Sequence, residues 1–406
     1  MRSWKAVTLT SATKAYWILG AMTATIITAR FLGPQGRGEI AAATSWVALF
    51  VTFGHLSLSH VIVYVLAPRD RAESFPVVAG SVLAITAATA LLGWLIAAAL
   101  NAADVFQHIP PAALAIAFAG FPLLLWMENG SSLLIVLGDL GRLNLAQFAG
   151  TTTGIVLVTL AVGVVKGGVT AALAATFVSY LVAFAIGFRR VFREARPLRF
   201  SRAIAGELLR GSARLHLGAF GAVLCTHAGV VLLNHFRPVA EAGLFQLAVQ
   251  LTTATQVVPM AVSIVAYSIV ARDGVDAAWP EHRKLILQTL LYGFAATIGS
   301  YVIAPYVIPL VAGRAFVEAV PVFRILALSI GGMSLAAVIA PQWVARGYLA
   351  RVAVLALTPA ALSVGANIVL IPRYGMYAAA WAMVAVYMVQ LLVNLGFVLW
   401  IETRQP

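Results

Sequence analysis

Acidic side chains and cysteine are scarce in this chain of 406 residues. Asp and Glu number 14 against 27 Lys and Arg, and Cys225 is the one cysteine. A single cysteine excludes an intrachain disulfide and a cysteine-based metal site. Set in an apolar stretch, it reads as core. Charge of both signs is low, at 10% of residues, where a soluble chain carries about a quarter. There is no P-loop, HExxH, GxSxG or acidic-pair motif. That excludes ATP-driven work by this chain alone and the common hydrolase designs. His55, His60 and His227 have no metal-ligand spacing, so no metal or cofactor is expected.

What fills the chain is apolar sequence, 62% hydrophobic with mean hydropathy +0.95. A bilayer crossing needs roughly 20 apolar residues. Twelve segments meet that length, near 9–30, 38–66, 75–100, 111–138, 142–165, 168–191, 214–236, 240–270, 284–310, 317–345, 350–371 and 375–401. They are numbered here as spans 1 to 12. The first, whose apolar stretch 16–29 follows Arg2, Lys5 and Lys14, starts like a signal peptide. It is read as a retained helix because many spans follow it. Alternate gaps with their flanking helix ends hold twenty and six Lys or Arg, and only Arg324 is left, inside span 10. This bias places both termini in the cytoplasm. The net charge of +13 therefore reflects orientation and contact with anionic membrane lipids, not nucleic acid.

The chain divides into residues 1–192, a basic cytoplasmic linker 193–213, and residues 214–406. SRAIAGELLR (201–210) within the linker suits a short helix on the membrane surface. The halves resemble each other. GVTAALAATFVSYLV from Gly168 aligns with GMYAAAWAMVAVYMV from Gly375, and Gly138, Leu140 and Arg142 align with Gly347, Leu349 and Arg351. RFLGPQGRGE from Arg30 aligns more loosely with HFRPVAEAGL from His235. Each half has an even number of spans, so both keep one orientation. The expected fold is all-α: two pseudo-symmetric six-helix lobes around a central cleft.

ARFLGPQGRGEIAA (29–42), LGDLGRLNLAQ (137–147), GVTAALAA (168–175) and AGLFQLAVQL (242–251) together resemble the polysaccharide transporter branch of the multidrug/oligosaccharidyl-lipid/polysaccharide flippase superfamily. The resemblance covers nearly the whole chain. It implies a flippase that carries a polyprenyl-pyrophosphate-linked oligosaccharide across the plasma (cell inner) membrane by alternating access. Glycan polymerase or glycosyltransferases are the partners it suggests. Many members carry an Arg-x-Asp pair in span 7, where this chain has His227 and Gly229. A cation-coupled exporter of small drug-like molecules is the alternative, and a scaffold for glycosyltransferases the third reading.

Ionisable groups at membrane depth are functional candidates. Glu128, in LLLWMENGSSLLIV, is the candidate coupling residue for H+ or Na+, and Asn129 extends its polar patch. A structural carboxylate is the competing account. Gln246, Gln250, Thr253 and Gln256 fall within about 120° of arc on an ideal helix, a stripe suited either to sugar hydroxyls or to interhelical packing. His60 and His227 are candidates for a relay with Glu128, or else satisfied histidines. Arg30 and Arg324 are the candidates for a pyrophosphate or acidic sugar, since guanidinium matches phosphate geometry. Arg37 and Asn234 join the substrate path. Arg142 and Arg351 fit snorkelling at the interface. The longest outward gap, 101–111, is too short for the water-exposed loop of a membrane glycosyltransferase, so no enzyme is expected.

Overall fold

The computed structural model describes residues 2–106 and 108–404, with side chains at all of these except 2–8, 214, 215, 217–220, 222, 349 and 350. The Arg2, Lys5 and Arg214 side chains in the charge bias lie outside that set. Among the described residues every regular element is helical. In order they are α1 (Arg2–Gly54), α2 (Leu58–Leu66), α3 (Arg71–Ala102), α4 (Pro111–Ala119), α5 (Phe121–Val136) and α6 (Leu140–Val158), which runs into a π-helical turn, Thr159–Val164. Then come α7 (Gly168–Glu194), α8 (Arg202–Phe236), α9 (Val239–Ala254), α10 (Val257–Asp273) and α11 (Trp279–Ala312). A 3-10 turn (Arg314–Phe316), α12 (Ala319–Ala327), α13 (Ile330–Ala345) and α14 (Leu349–Glu402) complete the chain.

Seven helices are long and apolar enough to cross a bilayer, and nine if the pairs α9–α10 and α12–α13, each bent by 42°, count as one span apiece. Two of the long ones are broken by a kink at a glycine: α1 at Gly33 and α14 at Gly375. Counting each limb of α1 and α14 and adding the shorter apolar helix Val223–Phe236 within α8 gives twelve apolar helical segments, the number that the sequence pattern predicts. The protein is a multi-pass membrane protein.

The turns expose the internal repeat in backbone form. Gly138 and Gly347 both have left-handed φ, +67° and +77°. Gly168 and Gly375 do likewise, at +70° and +56°. Left-handed backbone is nearly free for glycine and costs other residues energy. Aligned glycines therefore mark aligned turns.

The linker differs from its sequence reading. Only 195–201 is irregular; from Arg202 the chain is already α8. Ser201 explains this, because its Oγ accepts from the Ile204 amide at 3.4 Å as an N-cap. The segment SRAIAGELLR is thus the first turns of a long helix and not a separate surface helix. The irregular stretch is pinned to α3, with the Arg199 amide donating to the Pro76 carbonyl at 3.3 Å and the Ser201 amide to Ser81 Oγ at 3.2 Å.

Two compact units emerge. Unit 1 comprises residues 1–32 and 39–223; unit 2 comprises 33–38 and 224–406. The division at 223/224 falls inside α8, downstream of the basic linker. Unit 1 packs one apolar cluster around Phe121, Leu125, Val158 and Leu173, and another around Leu58, Ile62, Leu133 and Leu208. In unit 2, Trp343 stacks on Phe397 with centroids 3.7 Å apart, beside Ile286, Leu335 and Ile339.

Proline inside a membrane helix leaves the carbonyl four residues earlier without its amide partner. Lipid offers no replacement, so the protein must supply one. Here a neighbouring side chain does so repeatedly. Trp94 Nε1 donates to Phe118 O at 2.9 Å, opposite Pro122. Tyr292 Oη donates to Thr255 O at 2.6 Å, opposite Pro259. Arg324 Nε donates to Tyr301 O at 3.0 Å, opposite Pro305. Ser263 Oγ donates to Ala337 O at 2.7 Å, opposite Pro341.

Candidate functional site

Within unit 1 the first limb of α1 and helices α5, α6 and α7 line an open cavity of about 660 Å³. Its wall mixes apolar surface (Trp17, Leu124, Ile155, Phe188) with Lys14, Glu128, Ser131, Gln147, Thr151, Thr176, Ser179 and Tyr180. Small residues bring its helices close, a Cβ on Gly20 meeting Thr151 and one on Gly150 meeting Ala183. Gly20, Ala21 and Ala24 line it from α1, Gly150 and Gly154 from α6, and Ala183 and Gly187 from α7.

Each polar group has an identifiable position. Glu128 lies eight residues before the end of α5, and Gln147 seven residues after the start of α6. At 1.5 Å per residue both stand about 10–12 Å from the short turn joining the two helices. That turn is fixed electrostatically. Asp139 accepts from the Arg142 amide at 3.1 Å as N-cap of α6 and pairs with Arg190 of α7 at 2.6 Å. The Arg190 guanidinium, ahead of the Arg142 contacts, holds the Asp139 carboxyl below the ordinary carboxylate range. Arg142 itself pairs with Asp139 at 3.2 Å, so it braces this turn.

The neighbours of Glu128 on α5 point elsewhere. Asn129 is fully buried and its Nδ2 donates to Thr86 Oγ1 of α3 at 3.0 Å. Ser132 donates to the Ser59 carbonyl at 2.5 Å. The polar run ENGSS therefore splits, with Glu128 and Ser131 on the cavity and Asn129 and Ser132 tying α5 to its neighbours. The run stays helical throughout, where its composition suggests a weak helix.

The other sequence candidates scatter. In unit 1, Arg30 is exposed near the end of the first limb of α1, and His60 is exposed on α2. Neither lines the cavity. Unit 2 contains Arg37, His227, Asn234, Gln246, Gln250, Gln256 and Arg324. Arg37 is 6% exposed. His227 is half-buried on α8, in a different unit from Glu128. Asn234 and Gln246 are buried, and among the described residues the side-chain carbonyl of each accepts no hydrogen bond. Gln250 is half-buried. Gln256 closes the break between α9 and α10, accepting from Ser334 Oγ at 3.3 Å and donating to Thr255 Oγ1 at 3.2 Å. The predicted stripe needs an unbroken helix from Gln246 to Gln256, and the bend after Ala254 interrupts its phase. Arg324 lies 4.6 Å over the Tyr301 ring while bonding that residue's carbonyl.

Lys14 is the cavity residue that the sequence reading missed. It was assigned to the basic N-terminal flank, yet it stands on the cavity wall. Its signal was its position, a lysine within the bounds 9–30 of span 1.

A family model described as polysaccharide biosynthesis protein matches residues 27–321. Among curated proteins, none matches this sequence. Solved structures share its fold. An inward-facing multidrug resistance MATE family transporter of the MOP superfamily superposes with a TM-score of 0.74 at 17% identity, covering 96% of both chains. The lipid II flippase MurJ, in an inward closed conformation, gives 0.75 at 12% identity, covering 96% of this chain and 87% of that one. A MOP superfamily transporter from Pyrococcus furiosus gives 0.65 at 16% identity, covering 98% and 95%. By the extent of the family match, the chain belongs to the polysaccharide biosynthesis protein family.

Proposed function

We propose that this protein is a flippase that moves a polyprenyl-pyrophosphate-linked oligosaccharide from the inner to the outer leaflet of the plasma membrane. Both termini lie in the cytoplasm, as the basic gaps require. The observation that carries the substrate class is the family match over residues 27–321; the likeness in fold to a lipid II flippase agrees with it. Transport proceeds by alternating access, with Glu128 as the coupling carboxylate. An ionisable group facing a cavity of mixed polar and apolar lining within a membrane bundle is placed to take up and release a cation. Glycan polymerase or glycosyltransferases are the partners that would consume or supply such a substrate.

The test is reconstitution. Vesicles carrying the purified protein are loaded with a fluorescent lipid-linked oligosaccharide, and its appearance in the opposite leaflet is followed by quenching. Flipping by the wild-type chain and its loss in Glu128→Gln is the expected result. No flipping by wild type, together with expulsion of a cationic dye, would favour the second reading, a small-molecule exporter. The fold shared with multidrug transporters is what keeps that reading in view.

A further inference from the structure

The two limbs of α14 run side by side. They join at Gly375 and meet again at their far ends, where Tyr348 packs against Trp400 with ring centroids 6.2 Å apart. Between them lies a groove of about 470 Å³. The first limb contributes Val354, Leu355 and Leu362, and the second Ala382, Ala385 and Val389. Apart from Thr358 and Ser363, every lining residue is apolar. Val354 is 64% exposed and Leu362 70%, so the groove opens away from the protein. Within a membrane span that side is acyl chain. The lining covers residues 354–366 of the first limb, about 18 Å at 1.5 Å per residue. One leaflet of the hydrocarbon core is about 15 Å deep. The groove is thus the length of one phospholipid acyl chain, and shorter than a polyprenyl tail.

Each wall ends in an arginine. On an ideal helix Arg351 falls inside the arc of the first limb's lining, one turn before Val354. Its guanidinium carbon lies 4.5 Å from the centroid of the Tyr348 ring. Trp400 falls inside the arc of the second limb's lining, and the Arg404 guanidinium carbon lies 4.5 Å from the centroid of its ring. Both arginines are exposed. Among the described residues neither pairs with a carboxylate; Glu402, two residues before Arg404, is engaged by Arg283 at 3.2 Å. The start of the first limb adds the positive end of a helix dipole, which the Tyr348 side chain does not cap. Tyr and Trp gather at the membrane–water boundary. Two cations on one aromatic pair, at the mouth of an acyl-length groove, stand where a headgroup phosphate lies.

We propose that this groove binds one anionic glycerophospholipid, its phosphate held by Arg351 and Arg404 and one acyl chain laid along α14. The proposal is independent of what the protein transports. Guanidinium matches phosphate geometry, and a zwitterionic headgroup would bring its own cation toward both arginines. A lipid seated there bridges the two limbs of α14.

Native mass spectrometry of the purified full-length protein tests this, with phosphatidylglycerol and phosphatidylcholine of matched acyl chains added in turn. Wild type should retain one phosphatidylglycerol and prefer it by about twentyfold, from two arginines at about fivefold each. Arg351→Gln and Arg404→Gln should each cut that preference by about fivefold, and the double variant should erase it. Ala385→Phe fills the groove from an exposed position and should weaken both lipids alike. Equal retention of the two lipids by wild type would overturn the proposal. So would a preference that survives in the double variant, or phosphatidylglycerol binding that Ala385→Phe leaves unchanged. Displacement of phosphatidylglycerol by an equimolar polyprenyl phosphate would give the site to a different lipid and overturn it too. A lipid-free dimer that Ala385→Phe disrupts would assign the groove to a second copy of the chain, with the same consequence.

Discussion

Polar side chains inside the membrane serve different ends in the two units. In unit 1 several face space, with Lys14, Glu128, Gln147, Thr151 and Tyr180 lining a cavity of about 660 Å³, although Trp94 occupies the Phe118 carbonyl beside Pro122 and Asn129 and Ser132 bind neighbouring helices. In unit 2 several are spent on broken backbone. Tyr292, Arg324 and Ser263 each occupy a carbonyl that a proline has orphaned, and Gln256 sits in the break between α9 and α10. A groove of about 470 Å³ between the limbs of α14 has only Thr358 and Ser363 among its otherwise apolar lining. Internal sequence similarity therefore preserved the turns without preserving what the polar residues do. A polar residue within a span is evidence of function only after its proline neighbours have been checked.

Breaking this contrast starts with the largest effect. Glu128→Gln should cut the initial flipping rate by about tenfold or more, equivalent to about 1.4 kcal/mol, while thermal stability in detergent is maintained. A parallel loss of both would make Glu128 a structural carboxylate, like the polar groups of unit 2.

Tyr292→Phe should lower unfolding stability by about 1 kcal/mol, the cost of an unpaired backbone acceptor. The loss should vanish in a Pro259→Ala background, where residue 259 again supplies an amide to Thr255. Persistence of the full loss there would place the value of Tyr292 in packing.

Arg324→Met sharpens the comparison at its most ambiguous point. Stability should fall by somewhat less than about 1 kcal/mol, with recovery in Pro305→Ala, and flipping should stay near wild type. A transport defect that Pro305→Ala leaves unrescued would return Arg324 to the substrate path.

The smallest effect belongs to the turn beside the unit 1 cavity. Asp139→Asn should cost about 0.5 kcal/mol at neutral pH, since asparagine retains the N-cap but loses the charge. The folded carboxyl titrates below its unfolded value of about 3.9. Its stabilisation is complete above that value and disappears as pH falls through the lowered one. Melting curves of variant and wild type should thus separate at neutral pH and converge in acid.

Span positions were legible because bilayer thickness imposes them. The apolar segments reappear as helices, seven of them long enough to cross a bilayer or nine with each bent pair counted as one span, although the bends in α9–α10 and α12–α13 were invisible to hydropathy. Glycine register was legible too, since Gly138 and Gly347 must both turn left-handed. The start of α8 was misplaced because a cluster of arginines outweighed a single capping Ser201. At the site, Glu128 stood out by its charge, while its neighbour Asn129 was drawn in by proximity alone. Adjacent residues on a helix diverge by about 100°, so one reaches the cavity and the other Thr86. Lys14 escaped notice because a basic residue near the N-terminus already had a topological explanation.

The excursion of residues 33–38 into unit 2 bears on how the molecule can be divided for study. Gly38 and Gly243 lack side chains where backbone meets backbone: a Cβ on Gly38 would overlap the Val239 carbonyl, and one on Gly243 the Pro34 carbonyl. A fragment beginning at 224 would bare that seam on α9. Co-expressed halves split at the midpoint of the chain should recover a complete second unit only when the N-terminal half donates its hexapeptide in trans, so the cleaved protein is a complementation system by construction.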